Sequence, residues 1–311
     1  MFKLNFYCKS RVLFNIVATI LFALVVYFLI EGPYGSTSLL YVGVSFLVVV
    51  SLLVTRFPYD DNEKRGRYLF RFLDANIIFL TGSLVLKEGY ICMIFFAPIY
   101  MLVVLIMFAF DSWIRASINK KRNTLSLHLL PLFIVVSSFE GVFPAFEYQR
   151  DAEVSVQRIV QGSVEQVRSN LLKPMALQKS RPAILKIFPM PHQVTAGTLN
   201  EGDIHKVDLR YYRWFVTNLH EGHILVKLSK VEPNNIETSF VEDTSYLSTY
   251  MELKGTQVTF KEMNDNQTQV TLNISYERKL DPYWYFAPLM EYAVTQAAGF
   301  IIKEVVARES H

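Results

Sequence analysis

The chain has 311 residues, of which 51% are apolar, 14% aromatic and only 19% charged, with a net charge of +3 and a mean hydropathy of +0.24. Two cysteines exclude a disulfide-stapled module, and 13 Gly with 12 Pro exclude a collagen-like or low-complexity chain. Length allows about two domains, and because the apolar excess sits almost wholly before residue 145, a single water-soluble domain is excluded as well.

Five apolar stretches, 11–30, 37–55, 68–86, 91–110 and 125–143, read as spanning helices. Each is close to the roughly 20 residues that cross a hydrocarbon core. No small-residue cleavage site follows the first, so it is expected to stay as an anchor. Basic residues collect before span one (Lys3, Lys9, Arg11), between spans two and three (Arg56, Lys64, Arg65, Arg67) and between spans four and five (Arg115, Lys120, Lys121, Arg122). The other two connectors hold only Lys87. By the positive-inside rule the N-terminus is cytoplasmic and everything after span five is extracytoplasmic, which means periplasmic in a Gram-negative cell.

Arg71 and Asp74 stand three apart in span three and share a helix face. They read as a pair near the cytoplasmic end, with the arginine snorkelling to the interface. Pro98 and Pro131 fall inside spans, as bundles tolerate. No span repeats another or carries a series of charges, so the bundle is expected to anchor rather than to transport.

Basic and acidic residues number 13 and 9 before Tyr148, and 18 and 19 after it. The basic surplus therefore belongs to topology, and nothing marks a nucleic-acid partner. The second domain is expected over 147–311. Residues 153–160 alternate like a strand, and Gly162-Ser163-Val164-Glu165-Gln166 is a capping box that opens a helix to about Leu172. After a proline-punctuated stretch with at most one short helix at 183–188, strand-like runs follow at 193–199, 204–216, 223–231, 235–242, 249–261 and 268–279. The connectors, among them His220-Glu221-Gly222 and Asn264-Asp265-Asn266, have turn chemistry and predict an antiparallel meander. A long helix closes the chain, with Asp281 as its expected N-cap, Pro282 at its first position and an apolar stripe to about Arg308.

This order, and above all the run Thr268-Gln-Val-Thr-Leu-Asn-Ile-Ser-Tyr-Glu-Arg-Lys-Leu-Asp-Pro-Tyr-Trp-Tyr-Phe-Ala-Pro-Leu, resembles the START-like or SRPBCC superfamily, which includes polyketide cyclase/dehydrase-like and lipid-transport domains. The resemblance covers about residues 150–308 and extends to members with a multi-span N-terminal anchor. It implies an α+β helix-grip fold, an antiparallel curved sheet around a long C-terminal helix, with an apolar cavity between them for a hydrophobic ligand. It carries over no catalytic residue.

The aromatic residues Trp214, Phe240, Tyr246, Tyr276, Trp284, Tyr285 and Tyr292 are the expected wall of that cavity, with Arg278 as its polar neighbour. Arg213, Asp243 and Asp281 are the other polar candidates, and Arg278 with Asp281 reads as a structural pair across the strand-to-helix junction. His220 and His223 lack a third ligand and fall in an expected turn, so no metal site is assigned. Ser163 lacks the second glycine of a nucleophile elbow, and no phosphate loop or dinucleotide fingerprint, hence no cofactor, is found. The expected protein is a membrane-anchored binder or carrier of a hydrophobic molecule, a membrane lipid in particular, with the bilayer itself as a partner. The alternatives are a polyketide cyclase/dehydratase-like enzyme on a membrane-derived substrate and a docking protein with no ligand.

Overall fold

A computed structural model of the chain describes residues 2–54, 64–85, 90–119, 129–173, 182–195, 198–214, 217–263 and 266–307. The chain divides into two compact units, Met1–Tyr148 and Gln149–His311.

The first unit is helical. It comprises α1 (Phe2–Glu31), a π-helical turn at Leu39–Gly43 that runs into α2 (Val44–Val54), then α3 (Lys64–Val85), α4 (Tyr90–Asn119) and α5 (Leu129–Ser137). Val49, Leu52, Ile78, Tyr100 and Val104 are buried, whereas Leu13, Phe28, Leu105 and Phe133 are more than half exposed. Helices that are apolar inside and out suit a core or a membrane, not water. Among the described residues two helices are long and apolar enough to cross a membrane, Val12–Glu31 and Met93–Ile114, and the apolar helix Leu39–Leu53 is shorter.

That is a narrower result than five spans, although helix occurs within each expected span. The opening of α3 carries Lys64, Arg65 and Arg67 ahead of Arg71 and Asp74, which dilutes its apolar character. α5 has nine residues before the chain turns at Ser138, and residues 125–128 of the fifth expected span lie outside the described residues. The snorkelling reading of Arg71 is corrected: Arg71 is 5% exposed and Asp74 fully buried, with Asn15 Nδ2 donating to Asp74 Oδ1 at 3.0 Å. A hydrogen-bonding partner on α1 draws the carboxylate inward instead.

The second unit opens with β1 (Asp151–Gln161), followed by α6 (Val164–Asn170). Between them Gly162 takes φ = 116°, a region open to glycine, and Ser163 closes the expected capping box. Its hydroxyl accepts from the Gln166 N–H at 3.4 Å, and the Gln166 side chain accepts from the Ser163 N–H at 3.1 Å. A short 3₁₀ turn at Ala183–Lys186 leads to β2 (Met190–Thr195), β3 (Ile204–Trp214), β4 (Thr217–Val231), β5 (Asn235–Asp243), β6 (Met251–Met263) and β7 (Gln267–Arg278). The chain then forms α7 (Tyr283–Ile301) and a π-helical end at Ile302–Ala307.

All seven strands pair antiparallel in the order β1-β7-β6-β5-β4-β3-β2, and α7 packs against β1 and β7. Strand, short helices, six-strand meander and a closing helix held by the sheet make this a helix-grip fold. Two local expectations are corrected. His220-Glu221-Gly222 is not a turn but the middle of β4, opposite Tyr211, Arg210 and Leu209. The glycine is needed for close approach, because a Cβ there would stand 2.4 Å from the Thr244 carbonyl oxygen. Asp281 is not the N-cap of α7; Pro282 occupies that position, after a cis Asp281–Pro282 bond, and the Asp281 carboxylate pairs with arginines instead.

Candidate functional site

In a strand, alternate residues face one side, and this period builds the inner wall of a cavity of about 220 Å³. β3 contributes Val207 and Leu209, β4 Ile224 and Val226, β5 Phe240 and β7 Ile274. β6 shows how phase is set by tertiary structure: Met251 and Leu253 face the cavity, and so does Thr256, three residues on. A register shift between Leu253 and Gly255 inserts one extra residue and turns the alternation over.

The opposite wall is α7, through Ala293, Val294, Ala297 and Ile301. Ala293 and Ala297 are one turn apart, so two methyl groups stand where larger side chains would fill the space. Leu185, Phe188, Pro189 and Pro191 close one side, and Leu247 closes another. Of all these residues only Thr256 has a polar side chain, and none is titratable. For scale, an apolar cavity of about 150 Å³ accepts a benzene ring.

The residues expected from sequence are dispersed by the fold. Phe240 lines the cavity. Tyr246 lies beside it, stacked on Tyr211 with centroids 4.8 Å apart and set edge-on to Tyr250. Tyr285 is half-buried and packs edge-on to Phe286, and burial raises its phenol above the ordinary tyrosine range. Trp284 and Tyr292, 52% and 54% exposed, project from the outer face of α7 and do not line the cavity. Trp214 ends β3, and its side chain lies outside the described residues, as does that of Arg213. Asp243 ends β5, where one carboxylate oxygen accepts the Ser245 N–H at 2.8 Å.

Tyr276 and Arg278 face inward but line a different space, a polar cleft of about 240 Å³ between the start of β1, the end of β7 and the first turns of α7. At its floor Asp281 joins two guanidinium groups: Arg278 Nη1 lies 2.7 Å from Oδ1, and Arg150 Nη2 lies 2.8 Å from Oδ2. Arg150 Nη1 also donates to the carbonyls of Arg278 and Lys279, which ties β1 to the β7–α7 junction. The structural pair expected at that junction is therefore a triad, and its third member, Arg150, had no signal in the sequence because it lies 131 residues from Asp281. Burial, and then the neighbouring Glu291 carboxylate, raise the Tyr276 phenol above its usual value, against the opposing effect of Arg278.

The helix-grip assignment rests on the strand order and on the placement of α7. Several solved structures are similar to part of the chain. A START-superfamily protein from Mycobacterium smegmatis is 13% identical, covers 50% of this chain and 95% of its own, and has a TM-score of 0.36. Truncated norcoclaurine synthase from Thalictrum flavum is 13% identical over 53% of this chain and 98% of its own, with a TM-score of 0.35. An aromatase/cyclase from Streptomyces is 14% identical over 50% and 93%, with a TM-score of 0.32. No protein-family model matches the chain, and no curated protein matches it.

Proposed function

We propose that the chain is a five-span membrane protein whose START-like domain, extracytoplasmic, binds and carries an apolar molecule, the acyl portion of a membrane lipid above all. One observation carries the reading: a cavity between the sheet and α7 whose wall, among the described residues, has a single hydroxyl, that of Thr256, and no acid or base. Catalysis by proton transfer requires a titratable group within reach of the substrate, so the wall favours binding over a cyclase-type reaction. The apolar outer surface of the helical unit supports a bilayer setting, where such a ligand is at hand.

The test uses the full chain in native membranes with a photoactivatable diazirine fatty acid. Labelled peptides should include those that contain Val226, Phe240 and Ala297. Ala297→Trp, which places an indole in the cavity, should remove that labelling while leaving any labelling of α1 and α4 in place. Adducts confined to residues 1–148 in both proteins would overturn the proposal.

A further inference from the structure

The polar cleft shares no lining residue with the apolar cavity. Its charges are arranged in two layers. The floor is the Arg150–Asp281–Arg278 triad, two cations around one carboxylate. Arg278 is only 2% exposed; its Nη1 donates to Asp281 and to the Leu280 carbonyl, but its Nη2 is buried with no hydrogen-bond partner. Leaving a charged donor unmatched is unfavourable, and an acceptor brought into the cleft would relieve it. The Tyr283 ring stands over this guanidinium, with its centroid 5.3 Å from Cζ, and both residues line the cleft.

The rim is of opposite sign. Asp151, Glu153 and Glu291 are exposed, line the cleft, and enter no ion pair among the described residues. Glu291 reaches the cleft from α7 and shares its lining with Tyr276. A plain anion would have to pass three carboxylates, and a plain cation would leave Arg278 unmatched.

We propose that this cleft is a second binding site, for a small zwitterion that places an oxyanion against Arg278 and an ammonium group against Glu153 and Glu291. Phosphate linked to a short amine has this chemistry, whether it arrives as a free solute or as the headgroup of a lipid.

The test is calorimetric titration of the full chain in maltoside detergent with O-phosphoethanolamine, inorganic phosphate and ethanolamine. O-phosphoethanolamine should bind saturably at millimolar concentration or below, and each half-molecule about tenfold more weakly, the difference that one charged hydrogen bond makes. The double variant E153Q/E291Q, altered only at exposed side chains, should melt like the parent and bind O-phosphoethanolamine about tenfold more weakly. No saturable heat, phosphate binding as tight as that of the zwitterion, or unchanged binding by the double variant would each overturn the proposal. Titrations in phosphatidylglycerol and phosphatidylethanolamine nanodiscs separate the two sources. A lipid headgroup in the cleft suppresses the signal only in the second, whereas a free solute titrates in both, and either result supports the site. Failure of fatty-acid labelling at the apolar cavity leaves this proposal untouched, since O-phosphoethanolamine, phosphate and ethanolamine carry no apolar chain that could enter that cavity.

Discussion

Replacing Asp281 by alanine removes a carboxylate that serves two guanidinium groups at once. Arg278 is 2% exposed and Asp281 1%, so the variant leaves Arg278 buried with its charge uncompensated, the circumstance in which loss of one partner costs about 3–5 kcal/mol. Arg150, with 19% of its side chain exposed, can turn toward water and adds little to that cost. For a folding unit of about 150–250 residues each kcal/mol moves the melting temperature by about 2–4 °C, which gives a loss of about 6–20 °C. The assay is thermal unfolding of the full chain in detergent, followed by tryptophan fluorescence, with Trp214 and Trp284 reporting on the second unit. The double variant Arg278→Met/Asp281→Ala should regain most of the loss, because no buried charge then remains. A single variant that melts within about 2 °C of the parent, or a double variant less stable than the single, would refute the triad as the tie between β1 and the β7–α7 junction.

Gly222→Ala should lower the melting temperature by the equivalent of about 1–3 kcal/mol, since the new methyl would meet the Thr244 carbonyl oxygen at 2.4 Å and the Ser245 Cα at 2.7 Å, both backbone atoms that cannot swing away; an unchanged melt would mean that the approach is slack. A reporter fused after His311 should behave as extracytoplasmic and one inserted near Asn62 as cytoplasmic, and a C-terminal reporter active only in the cytoplasm would refute the five-span topology.

Local chemistry was legible in the sequence wherever neighbours along the chain decide the outcome. The Ser163–Gln166 capping box involves residues three apart and formed as expected. The alternation of β7 carried through all twelve residues of the strand, Gln267–Arg278, because no bulge interrupts it. The apolar stretches of the first unit were equally visible, and helix occurs within each of them. What residues far apart in sequence do to one another was hidden. A single extra residue in β6 moves the inward phase from Leu253 to Thr256, and such a bulge is set by pairing with β7, not by β6 itself. Aromatic character named Trp284 and Tyr292 as wall residues, yet which face of α7 meets the sheet depends on packing against β1 and β7, and that packing turns both to the outside. Asp281 is a residue type that suits an N-cap, but Arg150, just ahead of β1, and Arg278, at the end of β7, hold its carboxylate more strongly than a helix N-terminus would, because opposite full charges in a buried setting outweigh the partial charges of free backbone N–H groups.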